Sequence, residues 1–352
     1  MKLMDRYIAR TVINGSLGVM GVLSGLALFF RLIDELEKVD GDYTLLKAVG
    51  YVLLSLPSYL YQVFPAAVLI GALIGLGGLA ARSELTVFRA TGASVLRLFQ
   101  GVLVAGVILM TLAVILGEFL GPAGYEKAKV MRAEAQGKQL STSGYQGVWL
   151  RDENRFIRVD RMMADQQLVG IDIWVFGDDR QLKERIEARK ARYRDGQWYL
   201  NDVTHREVGG EFAVYTRAEE TWDRLVRPEL FELVVVDPGD MPAWRLYDYV
   251  DYLEANGLES ERYRLAFWIK IFMPASVFVM LVLAMPFAFG SQRSAGAGQR
   301  IFIGILVGLA FMVVGRVLNH LGPAYHIPPL ISAVLPPLLF LGIGLWGIRR
   351  VA

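Results

Sequence analysis

Apolar residues fall in long blocks along this chain. Val12–Phe30 contains no charged residue, and Tyr51–Ala81 and Leu98–Leu120 are nearly as apolar. Hydrophobicity then drops, and returns at Leu265–Phe289, Ile301–Leu318 and Ile327–Ile348. About 20 mostly apolar residues cross a bilayer core as a helix, so the pattern predicts six spans in a three-plus-three arrangement. Pro57 and Pro65 inside the second run predict a kink or a partly interfacial first half.

Between the halves the period changes. From Ser141 to Val236 short alternating runs appear: GVWLRD, RFIRVD, GIDIWVF, ARYRDGQWYL, EFAVYT and FELVVV. They are rich in β-branched and aromatic residues. Turn signals separate them at Asp152–Asn154, Gly177–Asp179, Asp195–Gly196 and Gly209–Gly210. Strands at this spacing predict a sandwich or jelly roll. Tyr125–Gln139 and Trp244–Asn256 read as helical connectors. The expected domains are therefore an N-terminal transmembrane half (1–122), a β domain with helical connectors (123–262) and a C-terminal transmembrane half (263–352).

One connector carries more than a turn needs. Between the second and third spans, Ser83–Gly92 places Leu85 and Phe88 at helical spacing, with Val87 alongside. A short helix is expected, with Ser83 as its cap and Glu84 in its first turn, where a carboxylate suits the positive end of the dipole. Leu85 and Phe88 exposed on such a loop would need a partner.

Basic residues orient the bundle. Lys2, Arg6 and Arg10, then Arg82, Arg89 and Arg97, then Arg293 and Arg300, and finally Arg349 and Arg350 fall on one side if there are six spans. Both termini are expected in the cytoplasm and the β domain outside. The start of the chain reads as a span rather than a cleaved signal. Glycine pairs four apart (Gly21 and Gly25, Gly71 and Gly75, Gly304 and Gly308) allow close helix approach. Packing within one bundle is the ordinary reading, and a partner interface the other.

Composition narrows the function classes. The chain has 352 residues, 54% hydrophobic, a net charge of +2 and no cysteine. Its mean hydropathy is +0.38. No basic footprint for nucleic acid is present, and neither disulfides nor thiolate chemistry can occur. The phosphate-loop, H-E-x-x-H and G-x-S-x-G patterns are absent, so no catalytic residue and no cofactor are assigned. His205, His320 and His326 are far apart, and no metal site is expected. Charges near membrane depth are more informative. Arg31, Lys38, Lys129, Arg132 and Arg316 form an expected cationic layer at the outer ends of the spans, suited to an amphiphile with an anionic headgroup and acyl chains. Lys270, taken alone, reads as a snorkelling side chain.

Several blocks carry a family resemblance: MDRYIARTV, FPAAVLIGALIGLGGLAARSELTVFRATG, RAEAQG, STSGYQGVWLRD and LGPAYHIPPLISAVLPP. Together they span essentially the whole chain, which closely resembles the LptF/LptG permeases of the lipopolysaccharide exporter. That resemblance implies a non-catalytic permease subunit of an ABC transporter in a Gram-negative inner membrane, with a periplasmic β-jelly-roll domain. It implies a homologous permease (LptF), two LptB ATPase subunits, the LptC and LptA periplasmic bridge, and lipopolysaccharide as cargo. In this family the segment between spans 2 and 3 is a coupling helix that docks on the ATPase. Its glutamate falls on Glu84, and Leu85, Phe88 and Arg89 accompany it. The lipid-facing residues carried over are Arg31, Lys38, Lys129 and Arg132. The chain departs from the enterobacterial pattern in RLIDELEKVD, where Glu37 stands in place of a second adjacent lysine. Arg316 comes from the charge pattern rather than from the resemblance. The residues alone also leave open a secondary carrier or channel, or a membrane scaffold without transport.

Overall fold

The computed structural model describes residues 3–90, 92, 95–136, 148–152, 154–162, 167–177, 179–194, 197–208, 213–222, 237–289 and 296–351. Among the described residues six helices are long and apolar enough to cross a membrane. They come from α1 (Leu3–Leu36), α2 (Leu45–Ala81), α4 (Val95–Val114) with its continuation, α7 (Glu261–Phe289), α8 (Ala297–Ala324) and α9 (Pro329–Val351). The short helix α3 (Glu84–Ala90) joins the second span to the third. Ser83 turns the chain with a left-handed backbone, φ 59°.

The chain divides into two compact units. The first comprises Met1–Glu37, Val52–Tyr125 and Glu261–Ala352, and the second Lys38–Tyr51 and Glu126–Ser260. In the first unit α2 is the central helix. It is apolar all round, as a helix buried on every side must be, and 89% of its most apolar window is buried. The helix continues unbroken through Pro57 and Pro65. Small residues let its neighbours close in. A side chain on Gly71 would collide with the backbone of Gly15 and Ser16 on α1. The pairs Gly71/Gly75 and Gly304/Gly308 pack inside the bundle, the latter against Ile70 and Ala66 of α2. Gly21 and Gly25 instead face open space.

The third span has an irregularity that its apolar pattern does not announce. After α4 the chain enters a π-helical segment, Ile115–Leu120, and leaves it as α5 (Gly121–Ala135). Such wide turns release a carbonyl from the regular ladder, and they recur at functional sites.

The second unit is built on six antiparallel strands: β1 (Val148–Asp152), β2 (Arg155–Met162), β3 (Gln167–Phe176), β4 (Leu182–Arg194), β5 (Gln197–Glu207) and β6 (Val214–Trp222). The expected β domain is present, and its described strands form one sheet in consecutive order. The run FELVVV lies outside the described residues. Ile157, Val159, Ile171, Ile173, Ile186, Leu200 and Val203 alternate onto one buried face around Trp198, as a half-buried sheet requires. β4 and β5 each slip phase once, at Arg189–Lys190 and Asn201–Asp202. Lys190 and Asn201 are cross-strand partners, and Asp202 has φ 54°. The paired slip keeps Trp198 and Leu200 on the same face as Val203 and His205. The connector α6 (Ala243–Ala255) buries Leu246, Tyr249 and Leu253, and the Tyr252 hydroxyl donates to the Arg151 carbonyl at 3.0 Å.

Candidate functional site

The expected coupling segment is tied to the first span. The Tyr7 hydroxyl, on the second turn of α1, donates to Glu84 Oε2 at 2.7 Å. The Arg82 guanidinium approaches the other carboxylate oxygen at 3.2 Å. Two residues earlier on α1, Asp5 accepts from Arg97 at the start of α4, at 3.0 Å. Asp5 is buried and Arg97 one-quarter exposed. The first helix thus holds both ends of the α3 connection, through two carboxylates.

The faces of α3 differ from the sequence expectation. Leu85 is buried to 3% exposure in the bundle core, and Phe88 packs half-buried against that core. Leu85 is therefore not the outward grip inferred above, whereas Phe88 remains partly exposed. With Glu84 held by α1, the helix turns Leu85 inward, and the outward positions are Thr86, Val87 and Ala90. Val87 is 59% exposed. Ser83 also departs from the expected cap: its left-handed φ is not the extended backbone of an N-cap. Its carbonyl nonetheless accepts from Val87 N at 3.0 Å. The side chain of Arg89 lies outside the described residues.

The five expected lipid-facing cations divide between the units. In the second unit, Arg132 stacks on the Tyr51 ring at 5.3 Å. Gln136, whose amide bonds back to the Arg132 carbonyl, reaches the Lys38 carbonyl at 3.3 Å. Lys38 and Arg132 are thereby joined through one glutamine, with Lys129 half-buried on the turn before. In the first unit, Arg31 lies over the Tyr59 ring at 4.8 Å. A guanidinium stacked through its face directs its N–H groups along the edge of its plane, the geometry in which it meets oxyanions.

Arg316 borders a cavity of about 360 Å³ between α2, α7, α8 and α9. His320 lines the same cavity. Among the described residues no group of three or more histidine, cysteine or acidic side chains is placed to hold a metal ion.

Lys270 is not a snorkelling side chain. It is 5% exposed, and its ammonium donates to the Gly117 carbonyl at 2.8 Å. It also lies over the Tyr61 ring at 4.9 Å. Gly117 belongs to the π-helical segment, so the lysine satisfies a carbonyl at the widened turn. A side chain at Gly117 would strike the Tyr61 ring. Sequence reasoning missed this site because the pairing depends on a local helix irregularity that no hydropathy pattern encodes. The Tyr61-to-Lys270 spacing across two spans offers no signal either.

In the β domain, His205 is buried between Glu184, 2.6 Å from Nδ1, and Glu220, 2.7 Å from Nε2. It stacks on Tyr215 with ring centroids 4.6 Å apart. Burial and the Glu184 carboxylate push the Tyr215 hydroxyl above its ordinary pKa, keeping it protonated.

Comparison with known proteins agrees with this architecture. The family model described as lipopolysaccharide export system permease LptF/LptG matches residues 6–350. The chain is 35% identical to the lipopolysaccharide export system permease protein LptG of Escherichia coli K12, covering 99% of this chain and 98% of that protein. It is 33% identical to the LptG of Haemophilus influenzae Rd, covering 99% and 98%. A match that runs through all six spans and the β domain identifies the chain as a member of the LptF/LptG family of lipopolysaccharide export permeases.

Proposed function

We infer that the chain is a permease subunit that moves lipopolysaccharide out of the inner membrane. One observation carries this reading: the family match covers residues 6–350, bundle and β insert alike. The chain is a multi-pass protein of the inner membrane and a member of the lipopolysaccharide export system. We further propose cytoplasmic termini, a periplasmic β domain and a homologous permease partner of the LptF type. Two LptB-type ATPases would bind below, and LptC and LptA would receive the lipid above.

In this scheme the chain hydrolyses nothing itself. ATP turnover in the separate subunit moves α3. Its outward face, Thr86, Val87 and Ala90, is the docking surface, with Glu84 at its edge. Because Glu84 is held by Tyr7, displacement of α3 is passed directly to the first span. Arg31, Lys38, Lys129 and Arg132 supply cations for lipopolysaccharide phosphates, Arg316 instead lines the cavity between α2, α7, α8 and α9, and the first and fifth spans form the lateral openings. A phosphate at Arg31 or Lys38 gains a charge-assisted contact of about 1–3 kcal/mol when partly desolvated.

The test is photocrosslinking of lipopolysaccharide in the assembled complex, comparing the native chain with the double variant Arg31→Glu, Lys38→Glu. The variant is expected to lose most crosslinks near the outer end of the first span. Undiminished crosslinking and transport would overturn the site.

A further inference from the structure

The cavity behind the fifth span has a chemistry of its own. Gly304 and Gly308 seat the first half of α8 on α2, within van der Waals reach of Ile70 and Ala66. Arg300, on its first turn, is buried against Gly77 of α2. Further along, from Phe311 to His320, the same helix borders open volume. A side chain built at Gly315 meets no atom within 4 Å. The helix is therefore closely packed along one half and lines a cavity along the other.

The polar groups of that cavity converge. Arg316, Asn319 and His320 are three and four residues apart on α8, and so share one face. Gln62 meets them from α2, where it is exposed between buried Tyr61 and Val63. Towards the start of α8 and deeper along α7 and α9 the lining becomes apolar: Phe311, Phe272, Met273 and Pro337. Among the described residues no carboxylate lines the volume and Arg316 forms no ion pair. The cavity thus has a cationic, hydrogen-bonding end near the outer turn of α8 and an apolar end within the bundle. Its volume of about 360 Å³ lies in the range of pockets that enclose small ligands.

We propose that this cavity is a binding site for a phospholipid of net negative charge, its phosphate and an acyl chain both inside, separate from the lipopolysaccharide route. The phosphate sits against Arg316, which can hold it with two parallel N–H donors, and Asn319 and His320 complete the contacts. The acyl chain occupies the volume beside Phe311 and Met273. Its occupancy fills the space behind α8, so the site is placed to bias how the fifth span moves. The proposal does not depend on the export reading above.

The experiment is native mass spectrometry of the full chain, assembled with its permease partner in a neutral maltoside detergent. Short-chain phosphatidylglycerol is the probe. Phosphatidylcholine, inorganic phosphate and lipopolysaccharide are tested separately as competitors. The native complex is expected to retain phosphatidylglycerol, and Arg316→Gln to weaken retention about tenfold, the ratio that one charge-assisted hydrogen bond supports. Gly315→Leu, whose Cβ meets no atom within 4 Å and whose branch extends into the cavity, is expected to abolish retention while leaving thermal unfolding unchanged. Equal retention in all three proteins overturns the site. Displacement by phosphatidylcholine overturns the anionic specificity, and displacement by inorganic phosphate overturns the acyl-chain contact. One-for-one displacement by lipopolysaccharide overturns its separateness. Binding rather than transport is read, so failure here leaves the export function standing.

Discussion

The Tyr7 hydroxyl donates to the Glu84 carboxylate at 2.7 Å, across 77 residues of sequence. This bond joins the first turns of the first span to the short helix between the second and third. A movement imposed on α3 therefore has a direct mechanical route into α1. The same bond explains why Glu84 does more than stabilise its own helix end.

Tyr7→Phe removes that donor and leaves Glu84 to Arg82. The assembled complex is expected to hydrolyse ATP normally while releasing less lipopolysaccharide per ATP. Glu84→Gln retains an acceptor for Tyr7 and is expected to lie between the native protein and Glu84→Ala. The ratio of lipid released to ATP hydrolysed measures all three. An unchanged ratio in both Tyr7→Phe and Glu84→Ala would remove the coupling role.

The two apolar faces of α3 predict opposite outcomes. Leu85→Ala opens space in a packed core, at a cost of about 2–5 kcal/mol, and is expected to lower the thermal midpoint. Val87→Asp leaves the midpoint unchanged, because Val87 is 59% exposed, but is expected to reduce co-purification of the ATPase. Thermal unfolding and pull-down, measured on the same preparations, separate the faces. A normal pull-down by Val87→Asp would show that the docking surface lies elsewhere.

The spans, the β insert and the short helix between the second and third spans were legible because each is written in periodicity. Six apolar runs correspond to six helices, and the turn signals at Asp195–Gly196 and Gly177–Asp179 fall between strands. The facing of α3 was not legible. A seven-residue helix presents Leu85, Val87 and Phe88 within one turn and a half, and which of them turns inward depends on the Tyr7 tether. The role of Lys270 was hidden for a related reason. A lone lysine near a span end reads as snorkelling unless the π-helical turn that offers it a carbonyl is known. Gly21 and Gly25 have the same spacing as Gly71 and Gly75, yet they face open space, because spacing does not say which side of α1 is covered.

Lys270→Met keeps the bulk of the side chain and deletes its donor. The Gly117 carbonyl then loses its lysine partner in a buried setting, an expected loss of about 1–3 kcal/mol. Lys270→Gln, which keeps an N–H donor, is expected to recover part of it. Thermal unfolding in detergent reads the difference. Equal midpoints for the native protein and the methionine variant would mean that the bond to the π-helical turn contributes nothing.

The two glycine pairs on α1 and α2 give a direct contrast. Gly71→Leu places a side chain into the backbone of Gly15 and Ser16, and is expected to prevent accumulation of folded protein. Gly21→Leu places its Cβ where no atom lies within 4 Å and is expected to fold. If it also weakens co-purification of the permease partner, that face of the first span is an interface between subunits. Yields after size-exclusion chromatography distinguish the two variants.

The central claim is that this chain belongs to an ATP-driven machine for exporting lipopolysaccharide. The most direct measurement is lipopolysaccharide release from proteoliposomes containing the chain with its permease partner and ATPase, supplied with the periplasmic acceptor. Release is expected to require ATP, to stop with vanadate and to vanish when this chain is omitted. Release that proceeds without ATP, or at the same rate in vesicles lacking the chain, would contradict it.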